Sequence, residues 1–401
     1  MSLSHTTIAR LFAFALPLLA LTACRPHDFP LYPANYREYA YVTNGDSNTV
    51  SVLDVVNMRL DREIAVGLKP IEVAVSPTRN EVYVVNSGAL GALGSVSVIN
   101  AENNTVTATI QVRRAPVSIE IDPAGNLAYV ANSGSNSVSV LDLKARREIA
   151  DLAAGEEPVA ARLSPDGKTL AVANRKSGSI SLIDPVARRL RAIFEGCPGT
   201  SDLVILPDSS KVFAACSAGH QVMILALART EEHPSAANPQ PLPTRPDTLE
   251  ALLDVGQAPV QLALKPDGGE IFASNALSNS ISEIYNTTDE VGGATMIGNY
   301  PVRGLVSADN SLLYVANLHS QYVTVYSIDD GKLLSASQGG SIRVGDGPSA
   351  LAFSAAGHLL FAVDTGSNDV AVIRVSSRSL FTYLSTGRAP NAIALKNFNI
   401  K

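Results

Sequence analysis

The sequence predicts an all-β fold, a closed ring of eight four-stranded units, and three observations carry that prediction. First, Tyr41-Val42-Thr43-Asn44 and Thr49-Val50-Ser51-Val52-Leu53-Asp54 are alternating apolar and polar runs flanking a polar turn. That is the pattern of a half-buried β-hairpin. Second, the hairpin recurs: Tyr83-Val84-Val85-Asn86, Tyr129-Val130-Ala131-Asn132 and their relatives begin at residues 41, 83, 129, 171, 213, 272, 314 and 361. Third, successive starts lie 42, 46, 42, 42, 59, 42 and 47 residues apart. A repeat of about 42 residues with four short strands is one blade of a β-propeller. A seven-bladed ring is the alternative, with the weak unit at Phe272 left out.

Bulk composition agrees. A length of 401 residues would ordinarily suggest two or three domains, but repeat units bury their faces only against neighbours. Apolar residues make up 46%, charged residues 17%, and 28 Gly with 23 Pro supply turns. Net charge is −6 with no basic block, which argues against a nucleic-acid partner.

The amino terminus reads as a targeting segment. A polar stretch ending in Arg10 precedes an apolar run over residues 11–21, too short to span a bilayer and interrupted by Pro17. It ends in Leu21-Thr22-Ala23-Cys24, which resembles the lipobox of bacterial lipoproteins. The resemblance implies cleavage after Ala23, lipidation of Cys24 and residence in the cell envelope, anchored to a membrane. A plain signal peptide cut near Ala23, leaving a free Cys24, is the alternative. Arg25, not Asp, follows the cysteine, which favours the outer membrane, with the protein facing the periplasm or the exterior. The expected organisation is therefore a signal peptide over residues 1–23, a Pro-containing tether over 24–37, and one propeller over 38–401.

From Glu38 one unit unfolds in order. Strands are expected over residues 39–43, 49–54, 61–66 and 71–76, with Gly67-Leu68-Lys69-Pro70 leading into the last. The Tyr-Val-Thr-Asn strand, the Val-Ser-Val-(Leu/Ile)-Asp strand and the Pro-Asp-Gly turns resemble YVTN-family β-propeller repeats, including surface-layer-type propellers. The complete absence of Trp, and so of any Trp-Asp signature, separates the chain from WD40 proteins. The YVTN resemblance implies that the Pro-led strand is innermost and the Tyr-Val-Thr-Asn strand second. It also implies that the last blade combines both termini, which closes the ring and leaves no sheet edge at the join.

Two irregularities interrupt the ring. A Pro-rich insertion over residues 230–248 is expected on the bottom rim, as a solvated loop. A Gly/Ala/Leu-rich extension over residues 87–94 is expected on the top face, where it caps the channel, meets a partner or packs on its own blade. In an envelope compartment, Cys197 and Cys216 are expected to form a disulfide, the alternative being two buried thiols. Both fall at the top of one blade, and Cys216 stands where most repeats have Asn.

Aligning innermost strands on their Pro puts Glu72, Asp202, Gln261 and Arg303 at the second following position, and Glu120 and Arg162 at the fourth. These polar side chains fill one half of the ring at positions that are otherwise mostly small. They are candidate ligand contacts, and equally candidates for inter-blade salt bridges such as Glu120 with Arg162. His220 and His319 fall in top-face turns. No Cys-x-x-Cys-His, zinc spacing, nucleophile elbow or phosphate loop occurs, so no catalytic residue, metal site or cofactor is assigned.

The function expected is a non-catalytic binding or scaffold module offering its top face to a protein, glycan or small ligand. One alternative rests on the resemblance of eight blades to haem d1 domains, which implies a non-covalent haem d1 with His220 or His319 as axial ligand. The third reading is a propeller lactonase using Glu120 or Arg162.

Overall fold

The computed structural model describes residues 31–229 and 244–400. The strands of the compact unit Tyr32–Lys401 form eight antiparallel sheets, one per repeat, arranged as an eight-bladed β-propeller. Among the described residues the only helix is one 3-10 turn, Ala336–Gln338. The unit around Phe272 is a regular blade, so the seven-bladed alternative fails.

Blades are numbered here by innermost strand: Pro70–Val75 for blade 1, then Pro116–Ile121, Pro158–Leu163, Thr200–Ile205, Pro259–Leu264, Pro301–Val306, Pro348–Phe353 and Pro390–Asn399. In each sheet the strand order matches the expectation, with the Tyr-Val-Thr-Asn strand next to the innermost one. Blade 6 has a broken outer edge, where Lys332–Leu333 and Ser341–Arg343 each pair with Tyr322–Ser327. Blade 8 is the composite one: Tyr36–Asn44 pairs with Pro390–Asn399 from Tyr36↔Asn399 to Asn44↔Pro390.

That closing ladder corrects the expected tether. Tyr36 and Arg37 already belong to the sheet, and Tyr32 stacks on Tyr36 (ring centroids 4.7 Å) and hydrogen-bonds His358 Nε2 at 3.0 Å. The buried Glu38 carboxylate accepts the Ala355 N–H (2.6 Å) and the Tyr36 hydroxyl (2.8 Å). The expected signal segment, Cys24 and the proximal tether lie outside the described residues, as do residues 230–243 of the insertion expected over 230–248.

The core sits between blades. Tyr41, Tyr83, Tyr314, Phe213, Phe272 and Phe361 are fully buried, each at the first or second position of a repeat motif. One inter-blade cluster joins Tyr41, Val50 and Val52 of blade 8 to Val73, Val82 and Val84 of blade 1. Tyr41 spends its hydroxyl on Asn104 Oδ1 at 2.6 Å, which satisfies its polar end inside the core.

The repeated Asn is a strand-end clamp. Asn44 donates to Thr49 Oγ1 and Ser51 Oγ, Asn132 to Ser137 and Ser139, and Asn174 to Ser179 and Ser181. In blades 1, 3, 5, 6 and 8 the glycine that begins the lead-in to the innermost strand packs on this amide. A Cβ on Gly155 would lie 2.7 Å from the Asn174 amide carbon, so glycine is obligatory there. Blade 4 replaces this glycine–asparagine contact with a covalent one. Cys197 takes the glycine position and Cys216 the asparagine position, and they form a disulfide with a Cα–Cα distance of 4.7 Å.

Candidate functional site: the channel and its upper mouth

The top face is built from the loops leading into innermost strands and the turns joining second to third strands. The residue before each innermost strand adopts positive φ, from 47° at Ala115 to 59° at Tyr300 among the non-glycines. Its N–H is held by the previous blade: Asn48 Oδ1 accepts Lys69 N–H (2.8 Å), Asn136 accepts Glu157 (3.0 Å), and Asn368 accepts Ala389 (2.8 Å). The mouth is therefore a ring of left-handed residues fixed by neighbouring turns.

Register confirms which side chains share a level. Glu72, Asp202, Gln261 and Arg303 lie opposite Val85, Ala215, Ser274 and Ala316, each one step past a bulge. Thr200 of blade 4 takes the place of the missing Pro, which puts Asp202 in line with Glu72. Glu120 and Arg162 sit two residues further along, opposite Tyr129 and Ala171.

An innermost strand has a hydrogen-bonded neighbour on its outer side only, so N–H groups on its other edge need acceptors. Three of the polar side chains supply them to the next blade. Asp202 Oδ2 accepts Leu262 N–H at 3.1 Å, Gln261 Oε1 accepts Gly304 N–H at 2.7 Å, and the Glu120 carboxylate accepts Leu163 N–H. The sequence could not show this role, because the partners are main-chain groups of a different blade.

The other three carry the electrostatics. Arg162 Nη2 lies 3.6 Å from Asp202 Oδ1, and Nη1 donates to Ala161 O at 3.1 Å. The expected Glu120–Arg162 salt bridge is thus replaced by an Arg162–Asp202 pair, with Glu120 contributing through its charge. Burial opposes the Arg162 charge, but Asp202, Glu120 and Glu72 outweigh it and raise the pKa. Burial pushes the Glu72 carboxyl up, against the opposing charges of Arg303 and Arg162. Glu120 is raised by the same desolvation, opposed by Arg162. Arg303 is partly buried, and its guanidinium has no hydrogen-bond or ion-pair partner among the described residues. The facing positions of blades 7 and 8 are Ala350, Ala352, Ala392 and Ala394, which leave the Glu72 and Arg303 side chains room.

The two histidines part company. His220 has φ 57° and its Nδ1 accepts Ala258 N–H at 3.1 Å, so it fills the clamp role that Asn48, Asn136 and Asn368 fill elsewhere. His319 is exposed and stacks on Tyr300, ring centroids 4.3 Å apart. Tyr300 was not singled out by sequence. Its signal is an aromatic in the slot that holds Lys69, Ala115, Glu157, Gly199, Ala258, Gly347 and Ala389 in the other blades. It immediately precedes the strand that carries Arg303. Among the described residues no group of three His, Cys, Asp or Glu is arranged to hold a metal, and no helix is long and apolar enough to cross a membrane.

A family model described as "Lactonase, 7-bladed beta-propeller" matches residues 79–189, well under half of the chain. No curated protein matches. Many solved structures do. Hydrazine synthase of Kuenenia stuttgartiensis is 20% identical, with 84% of this chain and 92% of that chain covered and a TM-score of 0.57. A functionally unknown protein from Desulfotomaculum acetoxidans DSM 771 is 15% identical over 89% and 98%, TM-score 0.58. Dihydro-heme d1 dehydrogenase NirN in complex with DHE is 14% identical over 94% and 78%, TM-score 0.70. At these identities the likeness is one of fold.

Proposed function

We propose that the protein is a lipid-anchored envelope propeller of the YVTN type, a non-catalytic binding module whose ligand enters the channel from the top face. The observation that carries this reading is Arg303, a guanidinium in the channel with no partner, beside a Glu72 carboxyl that feels its charge. A partly buried guanidinium without a protein partner is free to bind an anion. Glu120, Asp202 and Gln261 are already committed to the next blade's N–H groups, so they shape the wall while Arg303 is left to meet the ligand. The ligand class is therefore a small anion, a carboxylate or phosphate, bound by charge-assisted hydrogen bonds. Calorimetric titration with dicarboxylates, sugar acids and inorganic phosphate tests this. Binding is expected, and Arg303→Ala should abolish it while Ser133→Ala leaves it intact. Failure of every anion to bind, or binding indifferent to Arg303→Ala, defeats the reading.

A second reading is favoured by the Tyr300–His319 stack above the strand that carries Arg303: a planar conjugated carboxylate of the haem d1 type, bound at the blade 6 mouth. The residues fit in part, since His319 is exposed and Arg303 unpaired, whereas His220 is spent on Ala258. Such a group would supply light absorption and redox chemistry, with Arg303 holding its carboxylate and Tyr300–His319 its face. Visible absorbance on reconstitution, lost in His319→Ala, is the expected result, and an unchanged spectrum rejects it. The lactonase reading draws on the match over residues 79–189, which includes Glu120 and Arg162. It requires turnover of a lactone panel that Glu120→Gln removes.

A further inference from the structure

The extension over residues 87–94 shows what its extra residues do. Blade 8 joins its second and third strands through residues 45–48, between Asn44 and Thr49. Blade 1 uses residues 87–94, between Asn86 and Ser95, twice as many. The loop is tied at its base, where Gly88 N–H bonds Leu68 O (3.0 Å) and Ser87 N–H bonds Lys69 O (2.9 Å). Ala92 N–H closes a turn on Ala89 O at 3.0 Å. The result holds Leu90 out in solvent at 102% exposure, with Leu68 at 54% and Leu93 at 50% beside it. Leu68 and Leu90 belong to loops tied together by the Gly88–Leu68 hydrogen bond, and Leu93 opens the strand that follows, so the three leucines cluster at one tip of the blade.

The collar of that tip is cationic. Lys69 directly follows Leu68, and Arg114 lies opposite Leu93 in the register of the blade. Both are exposed, and neither makes an ion pair among the described residues. Arg113, next in sequence, differs in being neutralised by Glu148 and Asp151. The loop is convex, and a protein partner would have to bring a matching pocket. A fluid anionic surface needs none, because acyl chains admit the leucines while headgroups meet the cations.

We propose that the blade 1 tip, Leu68, Leu90 and Leu93 with Lys69 and Arg114, docks onto an anionic lipid surface. This contact is additional to a lipid on Cys24 and independent of what the channel binds. Each cation near an anionic membrane contributes roughly fivefold in affinity at low salt, so the pair is worth about 25-fold.

The test uses the full chain with Cys24→Ser and Leu90→Cys, labelled at residue 90 with an environment-sensitive fluorophore, the Cys197–Cys216 bridge being left oxidised. A label at residue 90 reports the tip itself, whatever the amino terminus contributes to vesicle binding. Vesicles of phosphatidylcholine with phosphatidylglycerol are expected to shift the emission to the blue. Phosphatidylcholine alone should not, and salt should reverse the shift. Lys69→Glu with Arg114→Glu should weaken it by at least the 25-fold estimate, with the circular dichroism of the blades unchanged. Absence of a shift, an equal shift on neutral vesicles, or indifference to the charge reversal overturns the proposal. A shift produced by soluble polyglutamate but not by vesicles also overturns it, and identifies an acidic protein as the partner.

Discussion

Asp364 and Asp369 meet carboxyl to carboxyl at the top of blade 7, where six other blades set an asparagine amide against hydroxyl groups. Asp364 is fully buried, its Oδ2 accepts Gly345 N–H at 2.9 Å, and its Oδ1 has no donor. Two carboxylates in contact need a shared proton, because neither brings one when ionised.

That pair predicts an unusual pH profile. Burial, with Asp369 adding to it, raises the Asp364 carboxyl from 3.8 to about 8 in the folded protein. A raised folded pKa means that the folded state holds a proton the unfolded chain has released. Stability should therefore be highest below pH 4 for this group and decline as pH rises through about 8, by at most about 1.4 kcal/mol per unit. Tyr383, whose pKa is raised by burial first and by the Asp364 charge second, and Arg343 beyond it stand on neighbouring outer strands. Asp364→Asn restores the amide found in the other blades. It should flatten the profile and add about 2 kcal/mol at pH 8. Denaturant midpoints measured from pH 5 to 9 decide it, and a wild-type profile unaltered by the substitution would sink the idea.

Ligand binding should show a proton coupling of the same sign, carried by Glu72. The Arg303 charge holds the Glu72 pKa down against desolvation. An anion on Arg303 cancels that help, so binding should take up a proton and weaken as pH rises through the Glu72 titration. Titration in buffers of different ionisation heat measures the uptake, which Glu72→Gln should remove.

The blade 4 disulfide closes a loop with a sequence separation of 19 residues. A loop of that size constrains the unfolded chain by about 3 kcal/mol. Cys197→Ala with Cys216→Ala should lose that amount. Cys197→Gly with Cys216→Asn should recover part of it, because glycine and asparagine occupy those positions in other blades. Chemical denaturation of the two double variants, compared with the oxidised chain, separates the outcomes.

The ring of left-handed residues at the mouth stores strain that glycine would relieve. Ala258 (φ 53°) and Ala389 (φ 52°) have no side-chain role to lose. Each Ala→Gly should stabilise by about 1 kcal/mol despite the extra freedom of glycine in the unfolded chain. Gly155→Ala should destabilise, since its Cβ would overlap the Asn174 side chain. Melting temperatures of the three variants are the measure.

By itself the sequence determined the ring. The period of 42 residues, the alternation and the turn residues are local properties, and each blade repeats the same local decisions, so eight blades were legible, while their strand order and the composite closure came from the resemblance to YVTN repeats. Cys197 and Cys216 were legible as a pair for the same reason, since both mark departures at one strand end. Tertiary structure alone decided what the polar half-ring does. Whether Glu120 meets Arg162 or a main-chain N–H, and whether Arg303 meets anything, depends on how neighbouring innermost strands fan around the channel. No pattern within one repeat encodes that spacing. His220 shows the same limit: as a sequence letter it is a candidate ligand, and only the left-handed turn and Ala258 N–H reveal it as the stand-in for an asparagine clamp.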